Sequence, residues 1–134
     1  MMKIVVIDGQ GGKLGSLLVS RLKAEAGQAE ICAVGTNSLA TSAMLKAGAD
    51  CGATGENPVA VNCRDADVIV GPIGIVVADS LAGEVTPAMA VAVGSSCAHK
   101  VLLPVNRCNN HIVGARDLSI SELVEAAITY IKCL

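Results

Sequence analysis

Phenylalanine and tryptophan are absent from this chain, and Tyr130 is its one aromatic residue. Without aromatic faces there is nothing on which nucleic-acid bases would stack, and a formal net charge of -2 offers no basic footprint for a phosphate backbone. No nucleic-acid partner is expected. Charge of either sign is scarce: 16% of residues are charged, against roughly 25% in an average soluble domain, while 52% are hydrophobic. The core must be aliphatic, and the shortage of polar groups to cover the surface favours a homo-oligomer that buries an apolar patch between copies.

Long apolar runs are missing too. The longest uncharged stretches, Ile31 to Leu45 and Val85 to His99, fall short of the ~18 residues a spanning helix needs and are interrupted by Gly, Ser or Thr, so no membrane partner is expected. The N-terminus reaches Asp8 and a glycine cluster too soon for a secretory signal. Cys32, Cys51, Cys63, Cys97, Cys108 and Cys133 include no CxxC pair, and without an export signal they read as reduced thiols of a cytoplasmic protein. No internal repeat, linker or low-complexity segment divides residues 1–134, which suit one domain.

What is present is a regular change of hydrophobic period. KIVVI (3–7) is an unbroken apolar run of strand length, and after it Leu14, Leu17, Leu18 and Leu22 share a helical face up to a stop at Gly27. EICAVGT repeats the strand signal, and Asn37 or Ser38 caps a helix lined by Leu39, Ala43, Met44 and Ala47. A short strand at 51–53 and a short helix at 58–64 follow. DVIVGPIGIVV holds a strand ending at Gly71-Pro72, and Thr86-Pro87 opens the next helix. KVLLPV is a strand and HIV (111–113) another short one. Ser119 and Glu122 then form a capping box for a closing helix whose Ile120, Leu123, Val124, Ala127, Ile128 and Ile131 share a face. Aliphatic strands alternating with helices predict an α/β fold, a single Rossmann-like three-layer domain with a mainly parallel sheet of five or so strands.

In such a sheet ligands bind outside the carboxyl ends of the strands, and the first strand-to-helix turn is where a pyrophosphate meets free helix N–H groups. Gly9, Gly12 and Gly15 give GxxGxxG in that turn, with Gly11 opening it further and Lys13 beside it. The spacing predicts a tight turn at Gly9, backbone approach to phosphate at Gly12, and close helix–strand packing at Gly15. The same glycines also suit a turn that binds nothing. A Walker loop ending at Lys13 is excluded by Ile7 and Leu14, which stand where Gly and Ser or Thr are required. Asp8 would repel a phosphate unless it points away, is satisfied by loop N–H groups or holds a divalent cation. The second strand ends in Thr36-Asn37 rather than the acid that grips an NAD ribose, or the Arg that accepts a 2′-phosphate.

Further polar residues gather at other strand ends. Thr36 and Asn37, with Gly71, Pro72 and Gly74, complete the expected nucleotide pocket. After the fifth strand, Arg107 suits an anion, Asn109 or Asn110 a carbonyl, His111 proton transfer and Cys108 nucleophilic attack, although Asn-Asn equally makes a turn. Cys63 and Cys108 suggest a thiol or metal site as an alternative, but lack the paired spacing of metal ligands.

Segments IDGQGG, AVGTNSLATSAMLKAGAD, GATGEN, VNCRDADVIVGPIGI, ADSLAGEVTP and LLPVNRCNNHIVG together resemble a small family of uncharacterised proteins from mostly anaerobic Gram-positive bacteria, catalogued as domain of unknown function 3842. The resemblance covers nearly the whole chain and implies no activity or catalytic residues. Over one turn, the opening loop is also similar to that of NAD(P)-dependent dehydrogenases such as the prephenate dehydrogenase group. The expectation is a protein that binds NAD(P) or another nucleotide, either as an oxidoreductase or as a ligand-sensing module.

Overall fold

The computed structural model describes residues 1–107 and 109–134. Its aliphatic runs form five strands, β1 (Lys3–Asp8), β2 (Glu30–Gly35), β3 (Cys51–Thr54), β4 (Val68–Pro72) and β5 (His99–Leu103), in one sheet of order β3-β2-β1-β4-β5. Every pairing is parallel, with Ile4 opposite both Ile31 and Val68. The helices are α1 (Lys13–Glu25), α2 (Ser38–Lys46), α3 (Glu56–Cys63), α4 (Pro87–Gly94) and α5 (Ile120–Lys132), with a 3₁₀ turn at Ile73–Val76. This is a three-layer Rossmann-like α/β fold.

Alternation along the central strands divides the core. Ile4, Val6, Ala33 and Val70 pack under Leu18 and Leu22 of α1, Met44 of α2 and Ile128 of α5. On the other face, Val5, Ile7, Val34 and Ile69 meet Val59 of α3 and Met89 and Val93 of α4. Burying a side chain of this size contributes about 1.5–3 kcal/mol, so the doubly covered strands hold most of the apolar stabilisation. The edge strands are less covered: three of the four β3 residues are exposed.

Three helix starts follow their sequence signals. Asn37 Oδ1 accepts from Ala40 N–H at 2.8 Å, and Thr86 Oγ1 from Met89 N–H at 3.1 Å with Pro87 in the first turn. Ser119 and Glu122 form the reciprocal capping box, at 3.2 and 3.0 Å. Each such cap is worth about 1 kcal/mol.

Other expectations are corrected. HIV (111–113) forms no strand: the chain leaves the sheet after Leu103, two residues short of the expected end. Leu17 and Ile120 do not join the buried faces and are 40% and 42% exposed, while Gly15 and Val19 pack inward instead. Leu39 points to solvent and Ala40 takes its place in the core. Asp65 Oδ1 pairs with Lys3 Nζ at 2.6 Å and Asp67 Oδ2 accepts Lys3 N–H at 2.7 Å, which ties the segment before β4 to the start of β1. Among the described residues no helix is long and apolar enough to cross a membrane.

Candidate functional site

Strand order reverses between β1 and β4, and a crevice opens there at their carboxyl ends, as the topology requires. It holds about 410 Å³, within the roughly 300–1,000 Å³ typical of small-molecule sites. The loop from Gly9 to Gly12 and the first turn of α1 form one side, Pro72 and Leu81 another, and Val105, Asn106, Ile120 and Ser121 the rest. Leu17 and Ile120, left out of the core, supply an apolar wall. A wider depression of about 870 Å³ lies at the opposite end of the sheet, beside the chain's two ends, where Lys132 and Glu25 pair with each other at 3.1 Å. It lacks the strand carboxyl ends and free helix N–H groups that favour an anionic ligand.

Within the loop the backbone donors are divided. Asp8 is buried, and its two carboxylate oxygens accept Gly9 N–H at 2.8 Å and Gly15 N–H at 2.6 Å. The carboxylate is therefore satisfied by the loop itself. Burial pushes its carboxyl above the usual range; the two N–H groups oppose that shift and the nearby charge of Glu84 adds to it. Gly12 N–H turns back to Gly9 O and Ser16 N–H to Gly12 O, which leaves the N–H groups of Gly11, Lys13 and Leu14 with no protein acceptor among the described residues. These are orphan donors of the kind that hold phosphate at a helix start.

The Gly12 N–H to Gly9 O bond closes the tight turn expected at Gly9, and what surrounds each glycine adds to the reasons read in the sequence. Gly12 has φ +75°, and a Cβ there would meet Ala40 Cα at 2.8 Å, so its bare α-carbon is required for helix packing against α2. A Cβ on Gly15 would meet Asp8 Cβ at 2.8 Å, which is the expected close packing of helix on strand. Gly9 is required by its neighbours, since a Cβ would lie 2.5 Å from Thr36 Oγ1 and 2.8 Å from Glu84 Oε1. Only Gly11 of the four has open space where a side chain would go.

Of the expected nucleotide residues, Asp8, Gly9, Gly11, Gly12, Lys13 and Pro72 line the crevice, together with Gln10. Gly15, Thr36, Asn37, Gly71 and Gly74 do not. Gly71 is enclosed in the sheet against the Ile7 carbonyl, and the Gly74 carbonyl accepts the Ser80 hydroxyl. Thr36 and Asn37 instead donate to a residue missed in the sequence: Glu84 Oε1 receives Thr36 Oγ1–H at 2.7 Å, Asn37 Nδ2–H at 2.8 Å and Gln10 N–H at 2.8 Å. Burial pushes the Glu84 carboxyl up, but the three donors outweigh it and hold it below the usual range. No local pattern around Glu84 marks it, because its partners lie on β1 and β2 loops far earlier in the chain.

The residues proposed for chemistry are placed less favourably. His111 is exposed and does not line the crevice. Cys108 lies outside the described residues. Burial pushes the Cys63 thiol up to about 11, and burial with the neighbouring Cys51 pushes Cys32 up to about 12. Both stay protonated near neutral pH, which disfavours Cys63 as a nucleophile. Among the described residues no three His, Cys, Asp or Glu side chains assemble as a metal site. Brief treatment of the native protein with a maleimide is expected to label Cys51, Cys97 and Cys133, which are exposed, and to spare Cys32 and Cys63 until denaturant is added. Peptide mass mapping checks this, and rapid native labelling of Cys63 would contradict its burial.

No curated protein matches the chain. The family model described as a domain of unknown function, DUF3842, matches residues 3–134, so the chain belongs to that family.

Proposed function

We propose that the protein binds a nucleotide or dinucleotide in the crevice over β1 and β4, NAD(P) being the leading class, with a phosphate on the N–H groups of Gly11, Lys13 and Leu14. The observation that carries this reading is the set of donors at the start of α1 that find no acceptor among the described residues, beside a crevice of about 410 Å³ at the reversal of strand order. Lys13 adds a positive charge, and the apolar wall of Leu17 and Ile120 suits the less polar part of such a ligand. A ligand-sensing module fits the lining better than an NAD(P)-dependent oxidoreductase. No histidine or cysteine lines the crevice among the described residues, and both oxygens of Asp8 are already engaged by N–H groups. The reading also takes the protein to be cytoplasmic and homo-oligomeric; exposed Leu39, Val61 and Val91 supply apolar surface for subunit contact.

Thermal denaturation with AMP, ADP, NAD⁺, NADP⁺ or FAD tests it, because a ligand of the native state must raise the melting temperature. At least one nucleotide is expected to give a saturable rise. Gly11→Asp places a carboxylate beside the free N–H groups without a steric clash, so the variant should melt near the wild-type temperature and lose the rise. No rise with any of the five, or a rise that Gly11→Asp leaves intact, overturns the placement.

A further inference from the structure

We infer that Glu84, which stands behind the crevice-lining Gln10 rather than in the lining itself, is the specificity residue for a ligand that reaches from the crevice to the carboxyl end of β2: its carboxylate accepts a ribose hydroxyl there and turns away a ribose that carries a 2′-phosphate. The inference rests on the nucleotide reading above and names which nucleotides the site takes. In dinucleotide-binding folds an acid at the end of the second strand holds the ribose 2′-hydroxyl, and an arginine there accepts a 2′-phosphate. Here that strand is followed by Thr36 and Asn37, neither acid nor arginine. The fold brings an acid to the same place from the loop between β4 and α4, 48 residues beyond Thr36.

The geometry holds the carboxylate as a fixed acceptor. Oε1 takes all three donors, from Gln10, Thr36 and Asn37 at 2.7–2.8 Å, while no hydrogen bond among the described residues reaches Oε2. Gly9 leaves room for this arrangement, since a Cβ on it would lie 2.8 Å from Oε1. The loop carrying Glu84 is itself over-determined. Asp79, Leu81 and Ala82 have φ of +65°, +55° and +56°, conformations that L-residues adopt only when contacts hold them. Leu81 is buried and lines the crevice, and Asp79 N–H donates to Val85 O at 2.7 Å. A charge anchored in this way cannot swing aside for a second anion. Lys13, the one lysine or arginine in the lining among the described residues, stands at the start of α1.

Equilibrium titration of the full chain with NAD⁺ and NADP⁺ tests the assignment, alongside Glu84→Gln. Glutamine keeps an oxygen for the three donors while losing the charge. The wild type is expected to prefer NAD⁺ by about tenfold or more, and the variant to bring the two within about threefold, with NADP⁺ affinity rising. A merely structural role would weaken both nucleotides together and leave their ratio unchanged. A wild-type ratio near one, a preference for NADP⁺, or a ratio that Glu84→Gln does not move overturns the assignment. If neither dinucleotide binds but ADP or FAD still gives the rise abolished by Gly11→Asp, the assignment falls and the nucleotide reading stands. If no nucleotide binds, both fall.

Discussion

Gly71→Ala is expected to cost about 3 kcal/mol or more, enough to leave much of the protein unfolded or aggregated at 37 °C. Gly71 sits in β4, which β1 and β5 flank, and a methyl group on it would fall on the Ile7 carbonyl oxygen, far inside van der Waals contact, with Ile75 Cδ1 3.2 Å away. A side chain struck in this way would change rotamer. A carbonyl of the central strand has no such freedom, so relief requires β1 and β4 to part at the point where they form the floor of the crevice. Gly11→Ala is the control: nothing lies within 4 Å of its added carbon, and its effect should stay within about 0.5 kcal/mol. Urea denaturation of the two variants checks both numbers. A Gly71→Ala protein as stable as the wild type would mean that the strands are not this close.

That contrast also shows which parts of the molecule local pattern could reveal. The strands Ile4–Ile7, Ile31–Val34 and Val68–Val70 are legible because both faces are covered, which demands unbroken aliphatic runs. The helix starts at Asn37, Thr86 and Ser119 are legible because a cap is a matter of three or four neighbouring residues. HIV (111–113) misleads because three apolar residues satisfy a strand's composition, while the chain has already left the sheet. Leu17 and Ile120 fit the periodicity of buried faces, yet both stand over the crevice, and periodicity cannot tell an apolar wall from a core. For the site itself, the glycine loop was visible as a loop, but the purpose of each glycine depends on atoms that sequence does not bring near. Gly12 faces Ala40, and Gly9 faces Thr36 and Glu84. Glu84 was out of reach for the same reason, since its role is created by the return of a later loop to the ends of β1 and β2.

Asp8→Ala is expected to destabilise the protein by about 2–4 kcal/mol, because it leaves the buried N–H groups of Gly9 and Gly15 without an acceptor and opens a small void beneath α1. Two effects oppose the loss. The variant no longer buries a charge, and it removes the repulsion between Asp8 and Glu84. Two orphaned donors, at about 1–3 kcal/mol each, outweigh that relief. The pH dependence separates these contributions. Burial raises the Asp8 carboxyl above its ordinary 3.8, so the folded state holds the proton more tightly than the unfolded chain does. Wild-type stability therefore falls as pH rises from about 3.8 through the folded value, and this contribution is level above it. Alanine cannot titrate, so the deficit of Asp8→Ala should be largest in acid and narrow to a constant as pH rises through that window. Chemical denaturation of both proteins from pH 3.5 to 7.5 measures the difference directly. A deficit that widens with rising pH would mean that the two N–H groups outweigh burial and hold Asp8 as a strong carboxylate, already filling the start of α1 with negative charge. A phosphate on Gly11, Lys13 and Leu14 would then stand against a fixed anion at its back.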